Sequence, residues 1–179
     1  MKLTTAMEGF VLHWGEMGAR WGVNRTVAQI HALLYLSESA LPAEEIASTL
    51  SVARSNVSTS LRELQGWGLV KVVHVLGDRR HHFETLTDVW EMFQIILRER
   101  KRREVDPTLE FLREAVATSA GSTDEYARER LTAMLAFFED AAEAHEQLQR
   151  PQAKAAMKAI RARGRFRAWL GSLGGRGAS

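Results

Sequence analysis

A mainly α-helical chain carrying one small β wing is predicted here by three observations. Residues 41–86 run as a short helix, a tight turn, a second helix and two β-rich segments joined by Gly77-Asp78-Arg79-Arg80. Long stretches on either side repeat apolar residues at three- and four-residue spacing, the period of an amphipathic helix. The second helix of the central segment carries short polar side chains and arginines where a solvated helix carries long Glu and Lys. Together these predict a winged helix-turn-helix flanked by N- and C-terminal dimerisation helices. The winged module is expected over residues 22–86. The helical dimerisation region is expected over 1–21 and 87–170, and a flexible tail over 171–179.

Residues 3–21 read as a helix with Phe10, Trp14, Met17 and Trp21 along one stripe and Gly22 as its stop. Aromatic residues at this spacing are the usual material of a core. Phe10, Trp14 and Trp21 also have the makings of an aromatic box that would hold a cationic ligand by cation–π attraction. Asn24 is placed to cap a second helix over about 25–36, with Val27, Ile30 and Leu34 turned inward.

The central module follows. Pro42 sits at a tolerated early position, and Glu44 and Glu45 occupy a first turn where the helix dipole favours anions. Ile46 and Leu50 supply the buried stripe of this helix, and Ser51-Val52-Ala53 turns the chain. In the next helix Val57, Leu61 and Leu64 form one apolar stripe. The remaining faces hold Arg54, Ser55, Asn56, Ser58, Thr59 and Arg62. Short side chains let a helix backbone approach a groove of DNA. There Asn pairs with adenine, Arg with guanine, and Ser or Thr with bases or phosphates. Gly66 and Gly68 are expected to break this helix, with Trp67 between them and Trp90 further on as packing anchors. Val70, Val73, Val75 and Leu76 then make a strand, and His81 to Leu86 returns as its partner. Arg79 and Arg80 at the tip are expected on phosphate or in a minor groove.

Beyond the wing, Thr87 is expected to cap a helix over 87–105 that runs into the basic stretch Arg98 to Arg103. Asp106-Pro107 predicts a kink or break there and a restart to about Ser119. Gly121 interrupts, and Ser122 with Glu125 predicts a capping box for a helix to about Gln149. Pro151 opens one more basic helix.

Composition narrows the function. Of 179 residues, 45% are hydrophobic and 26% charged, the balance of a folded globular chain. A net charge of +2 makes no case for nucleic acid by itself. The distribution does, because residues 53–82 hold five basic side chains against two acidic ones. Residues 122–149 are acidic, and residues 150–179 carry eight Lys or Arg and no acid. The absence of cysteine excludes disulfides, thiolate catalysis and cysteine zinc sites. No apolar run approaches the roughly 18 residues of a membrane span, and residues 1–10 lack a secretory signature, so a cytoplasmic location is expected. His81 and His82 point to opposite faces of a strand, which spoils a shared metal site with His74. His145-Glu146 lacks the second histidine of the zinc-protease motif. No metal or cofactor is expected. No acid–base or nucleophile constellation and no phosphate-loop signature is visible, which argues against an enzyme.

Amphipathic helices such as 131–142 need something to cover them, and the simplest cover is a second copy of the chain. Two-fold DNA readers place two recognition helices one turn of the duplex apart, on a pseudo-palindromic site.

The stretch FVLHWGEMGARWGVNRTVAQIHALLYL, joined to AEEIASTLSVARSNVSTSLRELQGWGLVKVVHVLGDRRHHFET, closely resembles the GbsR-like branch of the MarR family of bacterial transcriptional regulators. The resemblance covers about residues 3–115. It implies a homodimeric, ligand-responsive regulator of double-stranded DNA, usually a repressor. Its recognition helix would be residues 54–65, its wing 70–86, and its dimer contacts the terminal helices. In some members the effector is a quaternary ammonium such as choline. Two other readings stay open on the residues alone. One is an architectural, nucleoid-type DNA-binding protein without a dedicated effector. The other is a winged helix turned to protein contact, against which Arg79 and Arg80 weigh.

Overall fold

The computed structural model describes residues 1–119, 124–153, 155–156 and 159–160. The expectations at Gly121 and Ser122 and the 171–179 tail lie outside the described residues. The chain forms two compact units, Met1–Ile96 and Leu97–Ser179.

In the first unit, α1 (Thr5–Arg20) starts where the Thr4 side chain accepts a hydrogen bond from the Met7 amide. It packs along α2 (Arg25–Leu36), which is capped by the Asn24 side chain at 2.8 Å from the Thr26 nitrogen. The sequence placed the aromatic stripe of α1 inward. The structure instead buries Val11, Gly15 and Gly18, leaving Phe10, Trp14 and Met17 half-buried and Trp21 44% exposed. Close approach is the reason: a Cβ on Gly18 would lie 2.5 Å from the Ala28 Cβ, so the glycine face is the one that meets α2. The aromatics flank that seam. Helix α2 is the centre of the unit, with Val27, Ala28 and all of Ile30 to Leu34 buried.

Strand β1 (Leu41–Pro42) leads directly into α3 (Ala43–Leu50). Ser51 takes the left-handed conformation (φ 55°) and Val52 returns its amide to the Ala47 carbonyl at 3.1 Å, which makes the tight turn. Helix α4 (Arg54–Trp67) follows, with Val57, Ser60, Leu61 and Leu64 buried. Gly66 lies within this helix rather than breaking it. Gly68 alone ends it, at φ 81°, a conformation that costs a residue without Cβ little. Strands β2 (Val70–Val73) and β3 (His82–Thr85) form the wing, and β1 adds to the far side of β3, so the sheet order is β1-β3-β2, antiparallel throughout. Phe83 lies opposite Leu41 on one side and Val72 on the other. The sequence predicted only the two-stranded hairpin. A two-residue strand has no detectable period, and its proline is tolerated because the strand is an edge. The Thr85 hydroxyl donates to the Leu69 carbonyl at 2.7 Å and closes the base of the wing.

Helix α5 (Val89–Arg100) is capped by Asp88, whose carboxylate accepts from the amides of Trp90 (2.8 Å) and Glu91 (3.1 Å); Thr87 is not the cap. The division between the units falls inside this helix. The expected break at Asp106-Pro107 is absent. The chain passes through a π-helical stretch, Lys101–Val105, straight into α6 (Asp106–Ser119). The wider π turn leaves room for a proline ring and removes the need for its missing N–H. The Thr108 hydroxyl donates to the Glu104 carbonyl at 2.7 Å in the same turn. Helix α7 (Glu125–Gln149) is capped by Asp124, whose carboxylate accepts from the Ala127 amide at 2.9 Å. It packs on α6, tied by Arg113 to Glu139 at 3.1 Å, yet none of its own residues is buried. Among the described residues no helix is long and apolar enough to cross a membrane.

Candidate nucleic-acid interface and adjoining pocket

The four residues that α4 buries anchor it against the core and fix which of its faces remain outside. Arg54, Ser55, Asn56, Ser58, Thr59 and Arg62 are all exposed on those faces. The helix begins at Ala53 with no side-chain cap, so its first amides keep their affinity for an anion, reinforced by the helix dipole. The arginines differ in freedom. Arg54 pairs with Glu44 of α3 at 2.5 Å, which ties together the first turns of the two helices. Arg62 makes one long hydrogen bond, 3.5 Å, to the Thr59 hydroxyl on its own helix.

The wing turns at Gly77 (φ 85°), where the Asp78 amide donates to the Val75 carbonyl at 3.1 Å. Asp78 is the hub of the tip. Its carboxylate accepts from the Arg80 backbone amide at 2.9 Å and from Arg80 Nε at 3.0 Å, and Nη2 closes the fork. His82 Nε2 stands 3.4 Å away on the inner side. The hydrogen bonds from Arg80 hold Asp78 well below the usual carboxylate range, and Asp78 in turn raises the Arg80 guanidinium. The sequence treated Arg79 and Arg80 as equivalent. The structure separates them: Arg80 is tethered, while Arg79 is exposed with no ion pair among the described residues. The Asp-x-Arg spacing in a turn was the available signal, since an Asp side chain readily bonds the backbone two residues on. His82, the first residue of β3, is buried, while His81 just before it is exposed and lies edge-on to His74 at 5.7 Å.

Within the same unit, α1, α2 and the end of α4 enclose a pocket. Its walls include Trp14, Met17, Trp21, Val27, His31 and Trp67. The room it leaves for a water-sized molecule is about 40 Å³, and all the space between its walls, open solvent included, is about 420 Å³. Trp14 and Trp21 of the expected aromatic box are thus brought together. Phe10 is not in the lining; its ring stacks on Trp14 at 5.5 Å. Trp67, read from the sequence as a packing anchor, is part of the wall. His31 was not singled out by sequence reasoning because it stands in a run of core residues. It is 5% exposed, its Nε2 has no hydrogen-bond partner, and burial pushes its pKa down to about 4, so the ring is neutral.

Residues 21–81 match the model of the MarR family. No curated protein matches the chain. Among solved structures, the chain is similar to one described as a transcriptional regulator, at 18% identity and a TM-score of 0.53, over 79% of this chain and 99% of that one. At that identity the likeness shows the fold alone. The S. aureus MepR–DNA complex (18% identity, 75% of this chain and 98% of that one, TM-score 0.38) overlaps less closely. So does a transcriptional regulator from Thermotoga maritima (16%, 79% and 90%, TM-score 0.39).

Proposed function

We propose that this chain, whose residues 21–81 are of MarR-family type, is a cytoplasmic, homodimeric transcriptional regulator that reads double-stranded DNA and acts as a repressor released by a small effector. It is assigned to the GbsR-like branch on the residues quoted above. The observation that carries the reading is the outward face of α4. Six short polar or arginine side chains stand exposed on a helix whose buried Val57, Ser60, Leu61 and Leu64 lock it into the core, and the wing with Arg79 belongs to the same unit. In this reading Asn56 and Arg62 contact base edges, Arg54, Ser55, Ser58 and Thr59 contact bases or phosphates, and Arg79 and Arg80 lie along the backbone or minor groove. The pocket behind α4 is the effector site. Dimerisation uses residues 1–20 and 107–170, where Phe111, Met134 and Phe137 are 66%, 51% and 65% exposed.

The test is selection of duplexes from a random pool, followed by binding isotherms on the enriched sequence and on its scrambled form. A regulator prefers the enriched sequence by a factor on the order of 10³ or more. Equal affinity and equal salt slope on both would support the architectural reading instead.

A further inference from the structure

We infer that the pocket walled by α1, α2 and the end of α4 binds a slim, uncharged molecule bearing a hydroxyl group, which hydrogen-bonds His31. This rests on the reading of that pocket as the effector site and names the chemistry of its ligand. His31 lines the pocket, and its Nε2 is buried without a partner. A buried polar atom left unpaired is costly, so a ligand that satisfies it gains what the empty site lacks. In a neutral imidazole one ring nitrogen donates and the other accepts; a hydroxyl does both, and so complements either tautomer.

Charge is disfavoured on both sides. No Asp or Glu is among the lining residues to balance a buried cation, and no Lys, Arg or charged histidine to balance a buried anion. The tryptophan faces do attract cations. Size opposes that attraction. A cavity of about 150 Å³ takes benzene, whereas the inner space here is about 40 Å³. A space of that size takes the hydroxyl-bearing edge of a flat molecule more readily than a round tetraalkylammonium head. The remainder of the ligand occupies the mouth, beside half-exposed Trp21.

Tryptophan fluorescence of the full chain, titrated with benzyl alcohol, toluene, benzoate and tetramethylammonium, tests this directly. Benzyl alcohol should bind roughly tenfold or more tighter than toluene, and the two ions should bind more weakly than either. His31→Phe removes the nitrogen and keeps an apolar ring, so it should bind toluene as before and lose the preference for the alcohol. His31→Gln keeps a polar group there and should retain the preference. Equal binding of benzyl alcohol and toluene by the unsubstituted protein would overturn the inference. So would tightest binding of tetramethylammonium or benzoate, or no binding of any of the four at millimolar concentration. DNA affinity of the ligand-free protein is measured in parallel. The expected ligand ranking without DNA binding would overturn the regulator reading alone, and DNA binding without that ranking would overturn this inference alone.

Discussion

At the scale of single residues, the arginines and polar side chains of the interface divide by how free they are. Arg62 and Asn56 are exposed on α4, with no ion pair among the described residues. Arg62→Ala and Asn56→Ala should each cost about 1–3 kcal/mol on the preferred duplex and little on a scrambled one. Arg79→Ala should weaken both duplexes alike and lower the salt slope by about one. Isotherms on the two duplexes at several salt concentrations decide it, and a wing variant that loses only sequence preference would reverse the assignment. His31 gives a second residue-scale expectation. Its pKa is about 4 in the folded protein against 6.5 for the free side chain, so the unfolded chain takes up the proton first as pH falls. Its contribution to stability is therefore complete above pH 6.5 and is lost between 6.5 and about 4, by about 3 kcal/mol. Urea unfolding of the parent and His31→Phe at pH 7 and pH 4.5 should show a shallower pH dependence in the variant. Equal slopes would mean that His31 keeps its ordinary pKa.

Between elements, the α1–α2 seam is the contact most sensitive to one methyl group. A Cβ at Gly18 meets the Ala28 Cβ, and both are fixed by helix backbone, so neither can swing away. Gly18→Ala should destabilise the fold by about 1–3 kcal/mol through overpacking, despite the better helix propensity of alanine. Gly9→Ala on the same helix meets nothing within 4 Å and should be neutral or slightly stabilising. Thermal unfolding of the two variants separates packing from propensity. Because the pocket is walled partly by Gly18 and its neighbours, the first variant should also shift tryptophan emission.

For the whole molecule, helix α7 has no buried residue among those described, and large apolar side chains on α6 and α7 face outward. Such faces are covered in a stable protein, and a second copy of the chain supplies the complementary surface by symmetry. Sedimentation at micromolar concentration should give twice the 20.1 kDa chain mass. A species of the chain mass alone would remove the homodimer from the proposal, and with it the expectation of a two-fold DNA site.

Periodicity and caps by themselves determined the helices and the wing, since 3.6-residue spacing, Asn24 and the Gly77 turn act locally. They also marked which face of α4 stays outside, because Val57, Leu61 and Leu64 leave only one way to bury it. Tertiary structure decided what depends on partners distant in the chain. Strand β1 exists only because β3 offers it an edge forty residues on, at Leu41 opposite Phe83. The glycine seam, not the aromatic stripe, became the buried face of α1 because Ala28 stands against it. The π turn absorbed a proline that local rules read as a break. Trp14, Trp21, Trp67 and His31 share one pocket although they come from three helices, and a buried histidine's missing hydrogen bond is a property of its surroundings that no spacing in the sequence can express.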